Sequence, residues 1–152
     1  MKLRKGFTLV ELLIVIVIIG ILAAAMMLAS GSATDQAEGT AIISDLRNIA
    51  SASLIWFIEN QDTFNAGTMP ALADLSTFMS NPERVTVAAG YQLDVNTATG
   101  EWWAGFTNPN RLTEGVARRL AGRAQSVGLY SANGAGVFTL ADRGTGVWFR
   151  AR

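Results

Sequence analysis

The chain has 152 residues, with 12 Lys plus Arg balanced by 12 Asp plus Glu, and it contains neither cysteine nor histidine. It therefore has no disulfide framework and no thiolate, and it lacks the commonest general base and metal ligand of proteins. An enzyme would have to rely on carboxylates, arginine, serine or tyrosine, and we find no catalytic motif that arranges them. We expect one compact domain with an additional element, no enzymatic activity and no cofactor or metal.

The hydrophobic residues are concentrated near the start of the chain. Residues 1–6 (MKLRKG) are short and basic, and residues 7–29 are almost wholly apolar apart from Glu11. A helix over this run would be roughly 34 Å long, enough to cross a hydrocarbon core of about 30 Å. The basic residues predict that the N-terminus stays in the cytoplasm, so that the protein crosses the cytoplasmic (inner) membrane once.

Physical chemistry alone leaves two interpretations of this segment. A secretory signal would be cut at small residues such as 23–25 (AAA), but the apolar run continues beyond them and exceeds the usual length of about 7–15 residues. An uncleaved membrane anchor accounts for the length, but it gives no reason for an acidic residue inside the run.

A third interpretation comes from the residues themselves, because Lys5–Leu12 (KGFTLVEL) closely resembles the N-terminal motif of type IV prepilins and type II secretion pseudopilins. The resemblance implies a prepilin peptidase that cuts between Gly6 and Phe7 and methylates the amine of Phe7. It implies storage in membrane lipid, uptake by inner-membrane assembly machinery, and a periplasmic or cell-surface filament with other pilins. The chain lacks the cysteine pair that closes the C-terminal loop of many major pilins.

Glu11 has two explanations. It can satisfy the N–H groups at the start of its own helix, or, as the resemblance implies, neutralise the Phe7 ammonium of a neighbouring subunit during assembly. Such a pair is worth about 4 kcal/mol at a separation of about 4 Å and an effective dielectric of about 20, before desolvation. The residues expected in the membrane, and later in the filament core, include Leu12, Leu13, Ile14, Val15, Ile16, Val17, Ile18 and Ile19.

A single helix is predicted over residues 7–60, with Gly31 as a point where it can bend. Residues 30–60 are its amphipathic continuation. The inner face is predicted to carry Ile42, Leu46, Ile49, Ser53 and Trp56/Phe57, joined by Ile43, Ala50 and Leu54, and the outer face Asp35, Glu38, Asp45 and Arg47.

Residues 61–152 are predicted to form a small globular head. The predicted elements are a polar loop at 61–67, a helix at 70–79 capped by Thr68, strands at 84–95 and 101–107 joined by a hairpin loop at 96–100, a helix at 113–127, and short strands at 128–131, 137–141 and 146–150. The result is an α+β fold in which a long helix packs on a small antiparallel sheet, the layout that pilins share.

Two clusters in the head could bind ligands. Trp102 and Trp103, with Phe106, could form a sugar platform, but we favour core or subunit packing, with one Trp buried and the other at least partly exposed. The arginines at 118, 119 and 123 could contact phosphates, but we favour a solvated helix face or intersubunit ion pairs. Because removal of the leader leaves an acidic excess, no nucleic-acid partner is expected. Asp142 alone offers too few ligands for calcium.

The sequence therefore predicts a structural subunit of a type IV pilus or pilus-like filament, polymerised through its N-terminal helix. A type II secretion pseudopilin is the nearest alternative, and the motifs do not separate the two. A protein of another class, a singly anchored periplasmic binding or enzymatic domain, would be indifferent to the loss of Glu11.

Overall fold

The computed structural model describes residues 7–61 and 69–152, without the side chains of residues 28–30 and 133. The predicted leader at 1–6, most of the predicted loop at 61–67, and the Thr68 cap lie outside the described residues. The chain divides into two compact units, Met1–Thr34 and Asp35–Arg152.

Helix α1 spans Leu9–Glu59, which confirms the long N-terminal helix. Its first part is apolar around the whole circumference, and the large side chains there are exposed, from 44% at Val15 to 83% at Met27. Among the described residues, α1 is the one helix that is long and apolar enough to cross a membrane.

The part of α1 in the second unit is amphipathic, and its apolar face covers the core of the head. Ile42, Leu46, Ile49 and Ser53 are fully buried there, as the spacing predicts. Leu54 is 42% exposed, so its assignment to the inner face was wrong. It lies toward the edge of the buried stripe, where the head does not cover it.

The head contains a four-stranded antiparallel sheet with the strand order β1-β2-β4-β3. The strands are β1 (Tyr91–Asn96), β2 (Glu101–Phe106), β3 (Leu129–Tyr130) and β4 (Val147–Arg150). Leu93 pairs with Ala104, and Ala104 with Phe149, which fixes the register across the centre. This sheet and α1 form the predicted α+β arrangement.

Helix α2 spans Glu114–Val127, as the sequence predicts. The side chain of Thr113 accepts a hydrogen bond from the Val116 N–H and so caps the first turn. Gly128 ends the helix in the left-handed conformation, with φ of 80°. Leu120 on α2 and Leu46 on α1 belong to one buried core with Phe106 of the sheet.

Three predicted elements of the head differ from the structure. The strand predicted at 84–95 starts only at Tyr91, because residues 84–90 fold into turns that end at Gly90, where φ is 97°. The helix predicted at 70–79 is a 3-10 helix over Leu72–Phe78, whose buried side chains recur every third residue.

The strand predicted at 137–141 was also wrong. Val137 forms only an isolated bridge with Tyr130, and a 3-10 helix follows over Leu140–Gly144. The carboxylate of Asp142 accepts hydrogen bonds from the backbone N–H and the hydroxyl of Thr139, at 2.8 and 2.7 Å. Such local bonds satisfy backbone groups that would otherwise pair across a sheet.

Candidate functional site

The predicted processing site lies at the start of the described chain. Phe7 is 77% exposed and precedes α1 by two residues, while Gly6 lies outside the described residues. The cleavage between Gly6 and Phe7 and the methylation of Phe7 therefore stay predictions.

Glu11 and Thr8 form a reciprocal cap at the start of α1. The backbone N–H and the hydroxyl of Thr8 both donate to Glu11 Oε2, at 2.8 and 2.7 Å, and the Glu11 N–H donates to Thr8 Oγ1 at 3.2 Å. This is the capping-box arrangement, in which two otherwise unpaired donors are satisfied. The contribution of Thr8 was missed from the sequence, although the spacing Thr8-Leu9-Val10-Glu11 is the signal for it.

The cap uses only one of the two carboxylate oxygens of Glu11. No hydrogen bond joins Oε1 to any described residue. A carboxylate can accept about four hydrogen bonds, so Glu11 can cap its own helix and still accept from an external donor. The two explanations of Glu11 are thus compatible in geometry, and the contact with another subunit stays a prediction.

The apolar residues expected in the membrane form a continuous exposed surface. Their exposures lie between 44% and 58%, although full burial of such a side chain is worth about 1.5–3 kcal/mol. A helix that is apolar on every side is covered by lipid or by other protein. The surface comprises Leu12, Leu13, Ile14, Val15, Ile16, Val17, Ile18 and Ile19.

The paired tryptophans of β2 are both buried, at 2% exposure for Trp102 and 3% for Trp103, so the prediction that one of them is exposed was wrong. Trp102 contacts the rings of Trp56 and Phe57 on α1, with centroids 6.2 and 5.9 Å away. Trp103 meets the ring of Tyr130 at 5.3 Å on the other side. Both faces of β2 are therefore covered, and the two indoles pack rather than form an open platform.

A polar cluster joins α1 to the sheet, and the sequence did not predict it. Asp45 is 4% exposed, so its assignment to the outer face of α1 was wrong. Its Oδ2 accepts a hydrogen bond from the Tyr91 hydroxyl at 2.6 Å and lies 3.4 Å from the Arg84 guanidinium. Burial, reinforced by the hydrogen bond to Asp45, raises the pKa of Tyr91. Nearby, Arg111 pairs with Glu38 at 2.7 Å.

The three arginines of α2 are exposed. Arg118 forms an ion pair with Glu114 one turn away, at 2.8 Å, which is typical of a solvated helix face. Among the residues that the structure describes, no group of three or more His, Cys, Asp or Glu side chains could hold a metal ion.

Comparison with known proteins gives one match. The family model for the prokaryotic N-terminal methylation motif matches residues 1–27, which include the predicted cleavage site, Glu11 and most of the apolar run. No curated protein and no solved structure matches the chain. The motif implies processing by prepilin peptidase and, in general, assembly into pilin filaments. The first 27 residues therefore match the prokaryotic N-terminal methylation motif, and this match supports a prepilin- or pseudopilin-type protein.

Proposed function

We propose that this protein is a structural, non-catalytic subunit of a type IV pilus or pilus-like filament. It is cut between Gly6 and Phe7, methylated at Phe7, and polymerised through the first part of α1. The observation that carries the proposal is the N-terminal methylation motif at residues 1–27, combined with an apolar helix surface that no described residue covers. Before assembly, this surface is covered by inner-membrane lipid, with the N-terminus in the cytoplasm.

Assembly moves the apolar surface from lipid to protein. Both environments are apolar, so the hydrophobic effect contributes little to this step, and close packing and polar contacts must supply the preference for the filament. Glu11 is the one ionisable side chain between Phe7 and Ala29. A charge interaction that favours the filament over the lipid environment can therefore involve Glu11.

Cleavage creates the matching positive charge, because it releases the amine of Phe7. Glu11 Oε1, which no described residue occupies, can accept a hydrogen bond from this ammonium on a neighbouring subunit while Oε2 keeps its bonds to Thr8. When a subunit leaves the lipid and packs against a neighbouring helix, its Glu11 carboxylate and the neighbour's Phe7 ammonium become paired. In lipid, each of these charges would lack a counter-ion.

Filaments sheared from cells that express the full chain, and filaments extracted from the periplasm, test the proposal by mass spectrometry. We expect the chain in one of these fractions, beginning at Phe7 and carrying one added methyl group. Recovery on the surface indicates a pilus, whereas recovery only in the periplasm indicates a type II secretion pseudopilus. A mature N-terminus at Met26 would indicate an ordinary secretory signal, and an uncut chain restricted to the membrane would indicate a plain anchor.

A further inference from the structure

A polar groove lies between α1 and α2, within the unit Asp35–Arg152. Its volume is about 290 Å³. We call it the arginine groove, and its polar lining consists of Thr40, Ser44, Arg47, Asn48, Ser51 and Arg123. Five of these residues lie on α1, and Arg123 extends toward them from α2.

The two guanidinium groups of the groove have no ion-pair partner among the residues that the structure describes. Four other arginines of the head form ion pairs with carboxylates, whereas Arg47 and Arg123 form none with the described residues. Two exposed cations in one groove disfavour each other and attract an anionic group. The hydroxyls of Ser44 and Ser51 and the amide of Asn48 add further donors around the same space.

A carboxylate with the opposite property lies farther along α1. Glu59 is the last residue of the helix, is exposed, and forms no ion pair with the described residues. A negative charge at the C-terminal end of a helix is unfavourable, because it faces the negative end of the helix dipole. Glu59 therefore destabilises the C-terminal end of α1, and no described cation compensates this effect with an ion pair.

Apolar side chains separate these charges on the surface of α1. Arg47, Ser51, Ile55 and Glu59 are spaced four residues apart and so lie along one ridge of the helix. Ile55 is 42% exposed, and the adjacent Ile58 is 68% exposed. The ridge is positive at one end and negative at the other, with the uncharged Ser51 and Ile55 between them, so its two ends are complementary in charge.

We propose that the arginine groove binds Glu59 of a second copy of this chain in the filament, an inference that rests on the proposed function. Two parallel α1 helices displaced by the twelve residues from Arg47 to Glu59, about 18 Å along the axis, bring the carboxylate of one to the guanidinium groups of the other. A second copy is favoured over a polyanion because the mature chain has an acidic excess, which opposes a long anionic polymer.

Charge reversal in the full chain, expressed as the sole copy, tests the contact. We expect Arg47→Glu/Arg123→Glu to lower the amount of filament roughly tenfold or more, because two carboxylates then face Glu59. Glu59→Arg should lower it similarly. The triple variant that combines all three changes should recover most of the wild-type amount, since attraction is restored with the signs exchanged. Arg143→Glu is the matched control, because Arg143 is exposed and lies outside the groove.

The outcomes separate the groove contact from the proposed function. If wild-type chain is absent from every filament fraction, the proposed function fails and the contact fails with it. If wild-type chain assembles and the reversals behave like Arg143→Glu, only the contact is overturned. Failure of the triple variant to recover would exclude Glu59 as the occupant. Unchanged assembly, with loss of filament retention on immobilised polyphosphate, would assign the groove to an external anion instead.

Discussion

The two parts of α1 share one backbone geometry but solve the problem of apolar burial differently. From Leu9 to Met27 the helix is apolar on every side and its large side chains are exposed, whereas from Asp35 to Glu59 it has one buried face and one largely polar face. The second part finds its packing partner in its own chain, with Ile42, Leu46 and Ile49 fully buried. The partner of the first part must come from outside the chain, first as lipid and then, we propose, as other subunits.

The acidic residues of the two parts differ in the same way. Glu38 and Asp45, in the second part, each have an arginine of the head within ion-pair distance, at 2.7 and 3.4 Å. Among residues 7–61 and 69–152, the donors to the Glu11 carboxylate, in the first part, are the neutral N–H and hydroxyl of Thr8. A charge that is paired within the chain stabilises the fold, whereas a charge that is not so paired remains available to a neighbour.

The largest expected effect comes from removal of the first part. A fragment from Asp35 to Arg152 should fold, remain monomeric and form no filaments, because the second unit contains the buried core and lacks the apolar surface of the first. Circular dichroism should show a cooperative thermal transition that is unaffected by reductant, since the chain has no cysteine. Light scattering should give the monomer mass. Stable filaments of this fragment would show that contacts within Asp35–Arg152 suffice for assembly without the apolar surface of the first part.

The next effect concerns the charge within the first part. Glu11→Ala should leave the membrane level of the full chain unchanged but strongly reduce its entry into filaments when it is co-expressed, with a tag, beside wild type. The Phe7 ammonium would then be buried without its counter-charge, at a cost of about 3–5 kcal/mol. Glu11→Asp should be intermediate, because the shorter side chain keeps the charge but moves it away from its partner.

Thr8→Ala is the matched control for Glu11→Ala. It removes the local cap, worth about 0.5–2 kcal/mol, and keeps the carboxylate. If the Phe7 contact governs assembly, Thr8→Ala subunits should enter filaments at close to the wild-type frequency. Equal defects in the two variants would leave Glu11 with only its role in the helix cap.

The elements that follow from local patterns were the ones predictable from sequence. The apolar run, the spacing of Ile42, Leu46 and Ile49, and the cap at Thr113 each depend on residues within a few turns of one another, and the structure contains the corresponding helices. The motif at the N-terminus is equally local, and the family comparison matches residues 1–27.

The wrong predictions concern side chains whose burial depends on residues distant in the sequence. Asp45 was assigned to the outer face of the helix, but Tyr91, forty-six residues later, supplies the donor that makes its burial tolerable. One of Trp102 and Trp103 was expected to be at least partly exposed because successive strand residues point to opposite faces. Both are buried, because Trp56 and Phe57 of α1 pack on Trp102 and Tyr130 of β3 packs on Trp103. None of these partners is identifiable from local periodicity, since the contacts join segments that are distant in the sequence and come together only in the tertiary fold.

The smallest expected effect tests the polar cluster of Asp45, Tyr91 and Arg84, which packs on the second part of α1. In the Asp35–Arg152 fragment, the raised pKa of Tyr91 means that its hydroxyl stays protonated in the folded state when the unfolded chain has begun to ionise near pH 10. Stability from this group is therefore complete below about pH 10 and is lost as the pH rises, by at most about 1.4 kcal/mol per unit. Tyr91→Phe should remove this contribution to the decrease in the free energy of unfolding at alkaline pH.

Tyr91→Phe should also lower stability at pH 8 by about 1–3 kcal/mol, because Asp45 loses a buried donor. Urea unfolding of the fragment between pH 8 and pH 11 measures both quantities, so the wild-type and variant curves should converge as the pH rises. Tyr130→Phe is the matched control, since it removes a tyrosine hydroxyl and leaves the Tyr91–Asp45 hydrogen bond in place. Parallel curves for wild type and Tyr91→Phe would mean that Tyr91 ionises alike in the folded and unfolded chains, and that the cluster around Asp45 is more open to water than its burial indicates.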